Sequence, residues 1–387
     1  MRVRELVDKY KDYSISMRRE FHMNPEPSMK EYNTQKRVME ELAKMGIPAE
    51  KSGGTGVVGI IKGKGEGKTI ALRADMDALE VFEGNEVEYK SKVEGVMHAC
   101  GHDAHTAGLL TAAKVLNDMK DEFDGTVKLL FQPGEEVAQG ALAMIKDGVM
   151  EGVDGIFGIH IWNDVETGKI SVEEGPRMAS AAMFKIFVEG KGGHGSMPHQ
   201  TVDAVIVASA IVMNLQSIAS REINPLDPSV VSVGMLKSGT RWNVISGDAY
   251  MEGTTRCFSM EVNNAFEGII KRVVESTAEA YRATARVEYT QMTIPTINDP
   301  MMSALAAESV KKLRGEEALV KFEKTTGGED FAFFSEYAPS AFAFVGSKNE
   351  EKHEYHPHHH PKFNIDEDAL GRAAELYSQF ALDFLSK

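Results

Sequence analysis

The sequence predicts an α/β protein: an α/β/α layered domain interrupted by a smaller, ferredoxin-like insertion of βαββαβ order. Three observations predict it. Helical periodicity fills roughly the first 45 residues. Short apolar runs then alternate with helical segments, the pattern of a layered sheet buried on both faces. From Ala181 the order becomes strand, helix, strand, strand, helix, strand, and after Pro295 the first pattern returns. The implied boundaries are 1–180, 181–295 and 296–387.

Each element follows in turn. Leu6, Tyr10, Tyr13 and Met17 recur at spacings of three and four, and so share one helix face. Val38, Leu42 and Met45 mark a second helix over 33–45, with Gly46 as its stop. The runs TGVVGIIKG, KTIALRADM, TVKLLFQ and DGIFGIHIW read as strands. Helices are expected between them over 106–119 and 136–147. The insertion reads as MFKIFVEG, a helix over 201–221, VVSVGMLKSG, DAYMEGTTRCF, a helix over 261–281, and ARVEYTQM. A helix over 301–313, the strand SAFAFVG and a helix over 366–385 close the chain.

Composition narrows the function classes. The 387 residues carry 43 basic and 58 acidic side chains, a formal charge of −15. Such a balance suits neither nucleic acid nor an anionic membrane surface. Two cysteines, Cys100 and Cys257, make no disulfide framework, so a cytoplasmic setting is expected. The N-terminus lacks the apolar core of a signal peptide. The apolar run 204–213 stops at Asn214, short of the roughly 20 residues a membrane span needs. GKGEGKT has Lys62 where a phosphate loop needs glycine, HEYH is not HExxH, and no GxSxG occurs.

Chemistry concentrates in five segments. GVMHACGHDAHTAG offers His98, Cys100, His102, Asp103 and His105. Cys100 and His102, two apart, share a side on extended chain, and thiolate with imidazole suits borderline transition metals. In VKLLFQPGEEVAQGA a strand ends, Pro133-Gly134 turn the chain, and Glu135-Glu136 open a helix. Such a pair can divide the work of metal ligand and general base, and is equally common as first-turn acidic enrichment. His160 sits on an otherwise apolar strand, where a satisfied core histidine is the ordinary reading. Asp75 and Asp77 end the ALRADMDALEV strand, where a carboxylate can cap the strand or hold a ligand imidazole by its second nitrogen. The fifth segment, YHPHHHPKFNIDEDAL, is a polar loop in which five of the eight residues 353–360 are histidine. Together these place Cys, His and Glu at several strand ends of one sheet, as in two-metal hydrolytic sites.

With these residues in place, the chain resembles the two-metal aminoacylase/carboxypeptidase family, in the branch of N-acyl-amino-acid amidohydrolases, hippurate hydrolases and auxin-conjugate hydrolases. The resemblance runs through RREFHMNPEPSMKE, LRADMDALE, MHACGHDAHTAGLL, FQPGEE, GIHIW, GKGGHGSMPH, GGEDFAFF and HHPKFNIDEDAL, nearly the whole chain. It implies a metal-dependent amidohydrolase that converts N-acyl-L-amino acids to a carboxylic acid and a free amino acid. Cys100 would bridge or bind two divalent ions, with His102 and His160 on one and Glu136 and His359 completing the other. Manganese or zinc is implied, with nickel and cobalt also able to serve. Glu135 would be the general base and then the acid toward the leaving amine. Asp75 would orient a ligand. His194 would donate to the developing oxyanion across a homodimer interface, and Asn243 and Arg256 would hold the substrate carboxylate. The insertion would be both lid and dimerisation surface.

The chain departs from the family at three places. Pro133-Gly134 stands for Pro-Ala, Ser246-Gly247 follow Asn243-Val244-Ile245 in place of Pro-Asp, and the histidine run leaves His358 and His360 as alternatives to His359. A dipeptidase, carboxypeptidase or N-acetyl-diaminopimelate deacetylase is the alternative within the family. Cys-x-His at 100–102, and Arg73 where the carboxypeptidase pattern has His, favour the amidohydrolase branch. A metal-binding scaffold without turnover is the remote alternative, and the intact glutamate pair argues against it.

Overall fold

The computed structural model describes residues 2–387 and divides into two compact units. One comprises the chain up to Arg177 with Ile297–Glu323 and Asp330–Lys387. The other comprises Met178–Thr296 and Lys324–Glu329.

A central seven-stranded sheet organises the first unit. Its order is Ala49–Ser52, Gly56–Lys62, Thr126–Gln132, Thr69–Asp75, Gly155–Glu166, Ser340–Lys348, Ile170–Ser171. The four strands from Thr126–Gln132 to Ser340–Lys348 run parallel, and the flanking strands pair antiparallel. Consecutive residues of Thr69–Asp75 are buried on both faces, as parallel strands require. Helices His102–Asp118 and Asp368–Leu385 pack on the sheet and on each other. Phe157 from the sheet stacks on Phe380 with ring centroids 4.1 Å apart. A fully buried side chain of this kind contributes about 1.5–3 kcal/mol.

Local chemistry sets the helix ends. Helix Tyr32–Lys44 stops where Gly46 takes φ +71°. Gly46 N–H then donates to the Ala43 carbonyl at 3.0 Å and Ile47 N–H to the Leu42 carbonyl at 2.9 Å, a Schellman close. Two expectations need correction. The helix placed over 106–119 begins earlier, at His102, because Gly101 at φ +90° turns the chain directly into it. Glu135 and Glu136 do not open a helix: 135–138 is a turn closed by Ala138 N–H to Glu135 O at 2.8 Å, and Ala138 at φ +53° breaks helical geometry. The helix is Gly140–Lys146, so the glutamates stand outside its first turn, where the dipole acts most strongly.

The second unit carries a four-stranded antiparallel sheet in the order Ser229–Ser238, Asp248–Cys257, Ala181–Glu189, Thr284–Thr293. Helices Ala204–Ser217 and Met260–Ala280 share its core, around Phe184, Ile186, Ile211, Met251, Phe266 and Ile270. Asp203 and Ser259 cap their N-termini by accepting from Val205 N–H and Val262 N–H. The first helix continues through a π-turn to Glu222, giving 19 residues long and apolar enough to cross a membrane by length and composition. The expectation that this apolar stretch is too short is therefore corrected. Core helices pass the same test, and Val207, Ala208, Ile211, Leu215 and Ile218 are buried in this unit.

Candidate metal centre

Donor side chains of the first unit gather where its parallel strands end, the usual place for a site in such sheets. Cys100 Sγ lies 3.5 Å from His160 Nε2. One donor atom each from Cys100, His102 and His160 lies within 4.8 Å of the others, and the same holds for Cys100, Glu136 and His359. Cys100 is common to both sets. Extended chain, the geometry expected from the two-residue spacing, is not what aligns Cys100 with His102; the left-handed Gly101 turn between them does. Glu135 joins His102 and Glu136 in a third group of the same dimensions.

The ligand candidates are fixed from behind. Asp77 Oδ1 faces His102 Nδ1 at 3.1 Å, and Asp77 Oδ2 accepts from Glu136 N–H at 3.0 Å and from Ser28 Oγ at 2.6 Å. His160 Nδ1–H donates to the Ile161 carbonyl at 2.6 Å, which leaves Nε2 as its available lone pair. The family resemblance gives the orienting role to Asp75. Its Oδ1 instead bonds His105 Nδ1 at 2.5 Å, and Nε2 of that ring accepts from Ile161 N–H at 2.8 Å. Asp75 Oδ2 takes Arg73 at 2.7 Å and stands 3.8 Å from His102 Nε2. The hydrogen bond to the second nitrogen of His102 is thus made by Asp77, two residues further on.

The site fits a cation. His102 Nε2 and Glu136 Oε1 are buried without a hydrogen-bond partner, an arrangement native proteins avoid. Burial disfavours charge on His102, yet Asp75, Asp77 and Glu136 overcome it and raise its pKa to about 10. Burial, with Glu136, Glu135 and Asp75 close by, pushes the Cys100 thiol up, so thiolate there calls for a compensating positive ion. Burial beside His105 and His358 keeps His160 neutral, the form that ligates. One sulfur, imidazole nitrogens and a carboxylate form a donor set for borderline divalent metals.

Geometry separates the three histidines of the run. His359 Nε2 lies 3.4 Å from Glu136 Oε1. Its backbone is left-handed at φ +65°, held by His359 N–H to Ala99 O at 2.8 Å. Such conformations cost a non-glycine residue on the order of 1–3 kcal/mol and cluster at functional sites. His358 is half-buried against Trp162, its Nε2 accepting from Asn163 N–H at 3.4 Å. His360 Nδ1 accepts from Lys362 N–H at 3.0 Å.

The remaining predicted residues lie in the second unit. His194 pairs with Val244 across a two-stranded ladder, and Gly195 N–H donates to the Asn243 carbonyl at 3.0 Å, so His194 and Asn243 are neighbours. Arg256 lies eight residues along its strand from Asp248, about 26 Å at strand rise. There its guanidinium contacts Thr254 Oγ1 and the Thr255 carbonyl. It therefore does not join the other two within this unit.

Some supporting residues carry no role assignable from sequence. Arg73, fully buried, reaches Gln132, Asp75 and Asp330, while Asp330 also accepts from Ala141 N–H at 3.1 Å. Glu31 accepts from Gly134 N–H at 2.9 Å and so holds the turn before the glutamates. The available signal is that Glu31 and Asp330 lie in RREFHMNPEPSMKE and GGEDFAFF, segments that match the family without roles.

Known proteins match this chain. The family model described as peptidase family M20/M25/M40 matches residues 71–383. The chain is 44% identical over 386 residues to thermostable carboxypeptidase 2 of Saccharolobus solfataricus, covering 98% of each chain. It is 40% identical over 373 residues to N-acetylcysteine deacetylase of Bacillus subtilis, covering 95% of this chain and 96% of that one. Among solved structures, a Bacillus subtilis protein described as a dinuclear metal-binding peptidase of the M20 family superposes with a TM-score of 0.87 at 36% identity, covering 98% and 99% of the two chains. On this evidence the chain belongs to peptidase family M20/M25/M40.

Proposed function

We propose that the protein is a metal-dependent hydrolase that cleaves the amide bond of N-acyl-L-amino acids, releasing a carboxylic acid and a free amino acid. The observation that carries this reading is the pair of donor sets sharing Cys100, with Glu135 beside them. Cys100, His102 and His160 would hold one divalent ion, and Cys100, Glu136 and His359 a second. Zinc suits the thiolate and imidazoles by softness, and manganese suits the carboxylate; nickel or cobalt also fit the set. When bound, such ions supply Lewis acidity and bring the pKa of water toward neutral.

The chain's own groups do the proton work. Glu135 is not needed to complete either donor set, so its carboxylate takes the proton of the attacking water. Oxygen adds to the acyl carbon, the C–N bond breaks, and Glu135 returns the proton to the departing amine nitrogen. Asp77 keeps the His102 ring and the Glu136 backbone in register while this happens.

The second unit, which we take as the ferredoxin-like lid and dimerisation domain over 181–295, supplies the rest. Its strand order and two helices support the assignment. Val205, Ile206 and Met213 remain exposed on its first helix, as a self-association surface would require. His194 then donates to the oxyanion across a homodimer, and Asn243 enters from that same protomer to meet Arg256 of the other at the substrate carboxylate, since the two lie far apart within one unit.

The test is free-amine release from N-acetyl and N-benzoyl glycine, methionine, leucine and phenylalanine, with manganese- or zinc-loaded protein and a chelated control. Chelator-sensitive release that Glu135→Gln abolishes, with metal content retained, is expected. Turnover that survives Glu135→Gln overturns the mechanism. The carboxypeptidase at 44% identity favours a second reading, in which the acyl part is a peptide. Release from dipeptides and short peptides but from none of the acyl-amino acids would select it.

A further inference from the structure

Three ligand-bearing segments meet not only at the metal centre but at a second point behind it. Arg18, on helix Lys11–Met23, is fully buried. Its Nε donates to Asp103 Oδ2 at 2.8 Å, and Asp103 follows His102 in the first turn of its helix. Its Nη2 donates to Asn364 Oδ1 at 2.8 Å, five residues beyond His359. Asn163, three residues beyond His160, donates through Nδ2 to the Asn364 carbonyl at 2.7 Å and the His356 carbonyl at 2.9 Å. His22, one helical turn from Arg18, adds a second contact to Asp103 Oδ2 at 2.8 Å and reaches Glu83 at 3.1 Å.

We infer that Arg18 is a positioning residue for the metal centre, clamping the segments that carry His102, His160 and His359 through Asp103 and Asn364. The inference rests on the metal-centre reading above. A planar fork with fixed donors is what this geometry uses: one guanidinium edge serves a carboxylate and another an amide oxygen, which a lysine ammonium cannot do with the same orientation. The network is buried, so its bonds are not screened by solvent, and ligand loops held at one end gain little freedom to drift. Arg18 touches no substrate or donor atom of the site; it acts through the backbone segments that carry them. The first residues of RREFHMNPEPSMKE thereby acquire a role that the hydrolytic mechanism leaves unassigned.

Loss of an outer partner of a metal ligand typically costs 10–100-fold in affinity. The test is a titration of metal-free full-length protein with Co(II), followed by its visible absorption bands, which report ligand number and geometry. Arg18→Met and Arg18→Lys are compared with Arg314→Met. The last breaks the two-point pair of Arg314 with buried Glu375 and serves as a control for general destabilisation. Wild type is expected to take up two ions. Arg18→Met, one step behind such direct partners, is expected to bind about 10-fold more weakly with altered bands, and Arg18→Lys to fall between. Arg314→Met is expected to melt at lower temperature while titrating like wild type. Wild-type isotherms and spectra for both Arg18 variants would overturn the inference. So would equal weakening in Arg314→Met, since the loss would then follow stability alone. A wild-type protein that takes up no Co(II) overturns the metal centre itself, and this inference with it.

Discussion

Asp77 ties the two halves of the metal centre together: one oxygen faces His102 Nδ1 at 3.1 Å, and the other accepts the backbone N–H of Glu136 at 3.0 Å. A single buried carboxylate thus fixes the tautomer of one ligand candidate and the placement of the other. Asp77→Asn keeps the shape but weakens the acceptor, and is expected to lower metal affinity 10–100-fold. Calorimetric titration of metal-free protein checks this. Wild-type affinity in the variant would assign the orienting role elsewhere.

His359 is expected to separate ligand loss from backbone strain. His359→Ala removes the donor and leaves a Cβ in a left-handed conformation, whereas His359→Gly removes the donor and relieves the strain. The glycine variant of the metal-free protein should be more stable than the alanine variant by about 1 kcal/mol. Denaturant midpoints of the two variants decide the point, and both should lose metal alike.

Gly140 permits the turn that carries the glutamates. A Cβ there would lie 1.5 Å from the Pro133 carbonyl oxygen and 2.6 Å from its carbon. Backbone cannot yield as a flexible side chain does, so Gly140→Ala should destabilise by about 1–3 kcal/mol or more and displace the Glu135–Glu136 turn. Thermal melting and hydrolysis rate should fall together. An unchanged melting temperature would show that the turn re-forms.

Glu354 gives stability a pH dependence. Burial, with Asp366 and Glu367 nearby and Arg18 partly offsetting them, raises its pKa to about 7. The folded state therefore holds this proton more tightly than the unfolded chain, whose carboxyl titrates near 4.5. The contribution is fully present below about pH 4.5 and is lost as pH rises through 7. Glu354→Gln should match wild type near pH 4.5 and exceed it above pH 8, by about 1 kcal/mol after allowance for screening at a half-buried position. Denaturation midpoints at the two pH values test the sign.

Much of this protein is legible in its residues alone. Cysteine, histidine and paired glutamates are each ordinary, but their combination at several strand ends of one sheet points to a hydrolytic metal centre. The strand Ser340–Lys348 is readable from its unbroken apolar stretch 341–346, because a strand buried on both faces has little place for polar residues, while Thr126–Gln132 is interrupted at the partly buried Lys128. The glutamate turn reads as helix from sequence because the residues that break it, notably Ala138 at φ +53°, carry no composition signal.

Residue identity and order suffice to say which donors exist and which strands and helices bring them to one sheet. Family resemblance then selects Cys100, His102, Glu136 and His160 from among them and prefers His359 while leaving His358 and His360 open. Which carboxylate serves which ring is a matter of packing. Asp75 and Asp77, two residues apart at a strand end, look alike in sequence, and only their contacts with His105 and His102 separate them. The same holds for Arg18, 85 positions from Asp103 and 346 from Asn364, which stands between the ligand segments. Periodicity and local motifs register neighbours along the chain, while hydrogen bonds between distant segments exist only once the sheet and its helices have closed around them.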